Sequence, residues 1–98
     1  MIDVKRIEVK NFETEMKRRV GRRLITITCI ERENNFELLY HFDAVPIETL
    51  QLFLRKGEKM RDVSNMFAEA KIYEMDLQES YGIDFGLPKR RLFAPEVD

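Results

Sequence analysis

The sequence has few of the residues on which metal and disulfide chemistry depend. Its 98 residues include one cysteine, one histidine and no tryptophan. A single cysteine excludes an internal disulfide and cannot alone supply a zinc or iron–sulfur ligand set. We therefore expect no metal, no cofactor and a reducing compartment such as a cytoplasm.

Glycine is also scarce, and long apolar runs are absent. The four glycines are scattered, and none follows a strand in the Gly-x-Gly form that cradles phosphates, so a nucleotide cofactor is not expected. No stretch approaches the ~20 apolar residues of a membrane span. The segment Met1–Arg6 lacks the apolar run of a signal peptide. We expect any contact with a membrane to be made through partner subunits.

Neither sign of charge dominates the chain. Lysine and arginine number 17 against 18 acidic residues, a net charge of −1. This balance argues against a nucleic-acid partner held by net positive charge. A chain of this length buries somewhat over ~60% of its unfolded surface, enough for a small core. We expect one domain over residues 1–98.

The hydrophobic pattern predicts an α+β fold in the order strand, helix, three strands, helix. We expect a sheet of about four strands with both helices on one face. Leu39 and Phe53 then fall on the other face, which favours an interface there. The predicted elements are an edge strand within 2–9, a helix over 12–20 capped by Asn11, strands over 23–31, 36–42 and about 50–55, and a helix through Val63, Met66, Phe67, Ala70, Tyr73, Leu77 and Tyr81, capped by Asp62 or Ser64 and ended by Gly82.

Three features outside the last helix admit a chemical interpretation and a structural one. Cys29 shares the apolar strand face of Ile25 and Ile27, which favours a small buried hydrophobe over a nucleophile. His41 is more simply a half-buried strand residue or a partner contact than a metal ligand. The basic segment 17–23 fits charge complementarity at a helix end better than a phosphate patch.

The last helix carries several carboxylates. Asp76 and Glu79 point away from its apolar stripe and Glu74 lies at the edge. Paired carboxylates serve as acid and base when their environments separate their pKa values, so a small stand-alone enzyme or metal binder using Glu74, Asp76 and Glu79 is the alternative function. The same spacing is also typical of a solvated or ion-paired helix face.

At these residues the chain resembles the 30 kDa subunit of respiratory complex I, and most of all its short counterparts in membrane-bound, energy-converting nickel-iron hydrogenases. The family signature is Glu-Arg-Glu, two variable residues, an acid, one variable residue, then Phe-Gly-Ile-x-Phe, a Gly-and-Pro turn and a basic end. The matching residues here are Glu74, Asp76, Glu79, Tyr81, Gly82, Ile83, Phe85, Pro88, Arg90 and Arg91. Met75 replaces the signature arginine, and the turn lacks the Gly-His-Pro of the respiratory members.

The resemblance implies a cofactor-free accessory subunit without catalytic residues, in an oxidoreductase complex of the hydrogenase or NADH dehydrogenase type. It implies docking on the large catalytic subunit through the ten matching residues, at the cytoplasmic face of the membrane. Lys89, Arg90 and Arg91 either pair with the acids inside the chain or clamp the partner. A regulatory binding domain with the same fold is a third functional hypothesis. For the isolated chain the alternative assembly is a homodimer that forms through the surface meant for its partner.

Overall fold

The computed structural model describes residues 2–88 and has the α+β architecture that the sequence predicts. Arg90 and Arg91 lie outside the described residues. A short 3-10 turn, Val9–Asn11, leads into the first helix. The elements are β1 Ile2–Arg6, α1 Phe12–Lys17, β2 Leu24–Glu31, β3 Asn35–Phe42, β4 Ile47–Arg55 and α2 Ala70–Tyr81.

The described strands form one mixed sheet in the order β1-β4-β3-β2. β2, β3 and β4 pair antiparallel as successive neighbours, as expected for strands joined by short connections. β1 pairs parallel with β4, because the chain crosses over through α1 and the β2–β3 hairpin before it returns beside β1. The predicted position of the first strand at an edge is therefore confirmed.

Both helices cover the same face of the sheet, as predicted. Tyr40 on β3 meets Phe12 of α1, with ring centroids 5.0 Å apart. Phe36 on the same strand face meets Tyr81 of α2 at 6.0 Å, and Phe42 meets Phe67 at 5.4 Å. Tilted and edge-on aromatic pairs of this kind contribute roughly 0.5–1.5 kcal/mol each beyond the burial of their surface.

The opposite face of the sheet is only partly shielded, by its own side chains. Leu39 and Phe53 are half-buried there, and the guanidinium of Arg6 lies 4.8 Å from the ring centroid of Phe53. Glu37 is buried on this face and accepts hydrogen bonds from Arg32 at 2.5 Å and Gln51 at 2.6 Å. These two donors hold the pKa of Glu37 below its usual value. The face is thus partly apolar and partly closed by a charged network.

The β2 register differs from simple alternation because of a bulge. The pairing with β3 shifts between Leu24 and Thr26, so Leu24 is fully buried and Ile25 only half-buried. Ile27 and Cys29 keep their predicted side, since Ile27 is buried and Cys29 packs against the core. An extra residue in one strand moves every side chain before it to the other face.

The first helix ends at Lys17, earlier than predicted. Its continuation tightens, with the N–H of Arg19 donating to the carbonyl of Met16 at 3.0 Å. This turn brings the buried Arg19 side chain onto Glu48 of β4, at 3.0 and 2.6 Å, and onto Glu15 at 3.0 Å. The ion pairs of the buried Arg19 thus form in place of the three further helical residues that the sequence predicts. Asn11 occupies the N-cap position without a side-chain cap bond.

The second helix begins at Ala70, not near Asp62. The preceding segment, residues 62–69, is a series of turns that buries Val63 and Phe67 but does not form a continuous helix. Asp62 accepts from the N–H of Ser64 at 2.8 Å, which is a local turn and not a helix cap. Glu69 accepts from the N–H of Leu24 at 2.8 Å and fixes the helix start to β2.

Candidate functional site

The acids of α2 point in different directions. Glu74 lies on the inner side of the helix with Ala70 and Leu77, and all three are buried. Asp76 and Glu79 lie on the outer side and are exposed. Positions 74, 76 and 79 differ by about 100° per residue around a helix axis, so only the last two share a face. The structure therefore brings Asp76 and Glu79 together and separates them from Glu74.

Glu74 is fully buried, where the sequence placed it at an edge. Its Oε2 accepts from the N–H of Val63 at 2.9 Å. Burial and a hydrogen bond with the Asp62 carboxyl raise the pKa of Glu74 from 4.5 to about 9. The same bond lowers the pKa of Asp62. At neutral pH Glu74 is thus a neutral carboxylic acid beside an ionised Asp62, and its Oε2 satisfies a backbone group of the turn segment.

Gln78 was not singled out from the sequence, and it organises the turn after α2. Its Oε1 accepts from the N–H of Phe85 at 3.2 Å and of Leu87 at 3.4 Å, and its Nε2 donates to the Leu87 carbonyl at 2.9 Å. A single amide thereby satisfies three backbone groups of residues 85–87. A glutamine four residues before a helix-ending Gly82 gave no sequence signal of this role.

The turn itself begins with the left-handed residue that the sequence predicts. Gly82 has φ +75° and ψ +18°, and its N–H donates to the Gln78 carbonyl at 3.0 Å. The chain then reverses and buries Ile83 and Phe85 in the core. Neither side chain is therefore exposed at the surface of the described chain. Pro88, the last described residue, is exposed.

The outer side of α2 carries an exposed apolar residue between its acids. Ile72 is 62% exposed, and its position lies between those of Asp76 and Glu79 around the helix. Tyr81 at the end of the helix is 37% exposed, with its ring edge-on to Phe36. Tyr81 lies about 180° around the helix axis from Ile72, on the side of Ala70 and Leu77. We therefore call Ile72, Asp76 and Glu79 the α2 surface and treat Tyr81 as a separate residue at the end of the helix.

A groove lies beside residues 62–69, the turn segment to which Glu74 is hydrogen-bonded. Its volume is about 540 Å³, and it is lined by Lys59, Met60, Arg61, Asp62, Asn65 and Phe85. The N–H of Met60 donates to the Asp84 carbonyl at 2.8 Å, so the groove borders the turn after α2. Arg61 on its rim pairs with Glu13 at 2.9 Å.

The surroundings of Cys29 and His41, the two remaining chemical candidates, favour a structural role for both side chains. Desolvation raises the pKa of the Cys29 thiol to about 11, the opposite of what a nucleophile requires. The ring of His41 lies between the hydroxyls of Thr28 at 3.1 Å and Thr49 at 2.8 Å, and burial lowers its pKa. Within residues 2–88 no three histidine, cysteine or acidic side chains are grouped as a metal site would require.

Comparison with known proteins identifies the family. No helix in the described part of the chain has both the length and the apolar character needed to cross a membrane. No curated protein matches the chain. The family model described as respiratory-chain NADH dehydrogenase, 30 Kd subunit, matches residues 2–97. The chain therefore belongs to the family of the 30 kDa subunit of respiratory-chain NADH dehydrogenase.

Proposed function

We propose that this protein is an accessory subunit, with no cofactor of its own, that docks on the large catalytic subunit of a membrane-associated oxidoreductase. The parent complex is of the NADH dehydrogenase or hydrogenase type. The protein acts as one domain over residues 1–98, in the cytoplasm, and reaches the membrane only through its partners. Membership of the family supports an oxidoreductase complex as the setting.

The observation that carries the docking proposal is the composition of the α2 surface. A side chain as apolar as Ile72 is 62% exposed on the outward face of α2. Asp76 and Glu79 follow it along the helix, and their directions around the helix axis lie on either side of its direction. Interfaces combine an apolar anchor with charges that set the register. The surface therefore fits a partner with an apolar depression rimmed by basic side chains.

The residues beneath this surface give it rigidity. Glu74 fixes the inner side of α2 to the turn at Val63, and Gln78 fixes the turn that follows the helix. Ile83 and Phe85 anchor that turn in the core. A surface held in one conformation loses little conformational entropy when a partner binds. In this proposal the buried members of the family motif support the contact, and Asp76, Glu79, Tyr81, Gly82 and Pro88 lie at it.

The test is recovery of the partner with the tagged chain from detergent-solubilised membranes, identified by mass spectrometry. Ile72→Lys places a cation opposite the basic rim, and Val20→Lys is the matched control because Val20 is 56% exposed and lies outside the α2 surface. Tyr81→Ala removes the aromatic group at the end of the helix. Circular dichroism establishes that each variant is folded.

We expect the wild type and Val20→Lys to recover a hydrogenase-like or quinone-site large subunit. Ile72→Lys and Tyr81→Ala should recover at least about tenfold less, as for loss of an interface anchor worth more than ~1.4 kcal/mol. Recovery of the wild type alone, from the soluble fraction, refutes the accessory role. Equal recovery with Ile72→Lys and Val20→Lys refutes the α2 surface as its site.

A further inference from the structure

The outer edge of β1 is an open strand edge. β1 is the last strand of the sheet on its side within the described residues, and all five of its residues are exposed. Ile2 and Val4 are 55% and 53% exposed. Unpaired strand edges present a row of N–H and C=O groups that another strand can bind.

The direction of the backbone groups follows from one hydrogen bond. The N–H of Ile7 donates to the Gln51 carbonyl on β4 at 2.8 Å. Because successive residues of a strand direct their backbone groups to opposite sides, Lys5 and Asp3 also face β4. Ile2, Val4 and Arg6 therefore direct their N–H and C=O groups outward, where an added strand would pair with them.

We propose that β1 pairs antiparallel with β1 of a second copy of this chain, with Val4 opposite Val4. The three outward-directed residues then meet outward-directed residues: Val4 meets Val4, and Ile2 meets Arg6 in both directions. This register forms about six backbone hydrogen bonds between the copies. The two four-stranded sheets become one continuous sheet.

Charge complementarity selects this partner and this register. Asp3 of one copy lies opposite Lys5 of the other, twice, at the non-hydrogen-bonded positions where side chains approach most closely. Both side chains lie on the helix side of the sheet, where Lys5 is already 3.3 Å from Glu15. A slip by two residues in either direction places Lys5 opposite Lys5 or Asp3 opposite Asp3. Only pairing about Val4 has opposite charges at both positions.

The outer edge of β2, the second edge of the sheet, lacks the charge complementarity that β1 has with a second copy of itself. β2 contains the bulge at Leu24 to Thr26, and a bulge twists an edge away from pairing. Its charged residue, Glu31, has no basic residue of the same strand to meet in a two-fold arrangement. The inference does not depend on the proposed function, because it concerns the other end of the sheet from α2 and β2.

Sedimentation velocity of the purified chain from about 10 μM to 1 mM tests the proposal, because an interface of this size belongs to the weak class. Asp3→Lys makes both cross-strand pairs like-charged, and so does Lys5→Glu. A mixture of the two variants restores both attractions in the heterodimer alone. Glu33→Lys, in the β2–β3 turn, is the matched control for Asp3→Lys because it also replaces an acidic side chain by lysine.

A proline variant tests the backbone contact separately. Val4→Pro removes an N–H that bonds to nothing within the sheet, so the fold keeps its ladder with β4. The variant loses the two central hydrogen bonds of the pairing and places the ring in the path of the second strand. Circular dichroism of each variant establishes that it is folded.

We expect the wild type and Glu33→Lys to dimerise within this range, and Asp3→Lys or Lys5→Glu alone to dimerise on the order of tenfold more weakly. The equimolar mixture should return to the wild-type association, and Val4→Pro should be monomeric. A monomeric wild type at the highest concentration overturns the proposal. So does a dimer that Asp3→Lys and Val4→Pro leave unchanged.

Discussion

Replacing Glu74 by glutamine is expected to stabilise the protein increasingly as the pH rises. The glutamine amide has the same shape as a neutral carboxylic acid, so its oxygen accepts from the N–H of Val63 and its NH₂ group donates to Asp62. Unlike the carboxyl group of Glu74, the amide does not ionise between pH 5 and pH 9. The variant therefore retains the contacts of the buried side chain and removes its titration.

The sign follows from proton uptake on folding. The pKa of Glu74 rises from 4.5 in its ordinary setting to about 9 in the folded protein. Between these values the folded state binds more protons than the unfolded state, so the free energy of unfolding falls as the pH rises through this window. At about 1.4 kcal/mol per pH unit, the loss reaches at most about 6 kcal/mol by pH 9. Glu74→Gln does not undergo this loss.

Glu37→Gln is the matched control, a second buried glutamate whose pKa is lowered and not raised. The stability that Glu37 contributes is present above the unfolded pKa and is lost as pH falls through the folded one. Its replacement weakens the charge-assisted bond from Arg32 and should cost roughly 1–3 kcal/mol by a nearly constant amount from pH 6 to 9.

Urea unfolding at pH 5, 6, 7, 8 and 9 measures both effects. The difference between Glu74→Gln and the wild type should widen toward high pH, while the difference for Glu37→Gln should stay level. A Glu74→Gln curve that runs parallel to the wild type would show that Glu74 is ionised in the folded protein. That result would refute the assignment of a neutral acid beneath α2.

Three further changes test other parts of the fold. Tyr40→Phe removes a buried hydroxyl that has no hydrogen-bond partner within residues 2–88. Thermal or urea unfolding should therefore show unchanged stability or a gain of up to about 1 kcal/mol, and any loss of stability would mean that the hydroxyl is bonded. The methyl group that Gly82→Ala adds meets no atom of the described residues within 4 Å, but φ stays at +75°. The change should cost about 1 kcal/mol through backbone strain alone, whereas a neutral result would mean the turn adopts another conformation. Cys29, with a thiol pKa of about 11, should alkylate with iodoacetamide at pH 8 on the order of a hundredfold more slowly than a free thiol, and urea should restore the ordinary rate.

The strands were predictable because their signal is local. Alternation of large apolar residues from Phe36 to Phe42 fixes which side of β3 is buried, and the hairpin with β2 follows from the turn residues between them. The exceptions arise where a distant contact intervenes. The bulge after Leu24 lies where Glu69, 45 residues later, binds the backbone N–H of that residue.

The sequence predicted the motif of the candidate site but not which of its side chains are exposed. The pattern from Glu74 to Phe85 indicated the family, and the match over residues 2–97 confirms it. The pattern did not reveal that Glu74, Ile83 and Phe85 face inward. A glutamate is buried only when a distant part of the chain supplies hydrogen bonds and a proton-sharing group, and here Val63 and Asp62 do so.

The sequence by itself determined the α+β class, the order of the elements, the left-handed Gly82 and the family. These depend on periodicity, turn chemistry and a contiguous motif, all of which are properties of neighbouring residues. Only the tertiary structure decided where α2 begins, which of its acids is buried and where the bulge in β2 lies. Those features depend on residues that are far apart in the chain and meet only when the core closes, so no local pattern encodes them.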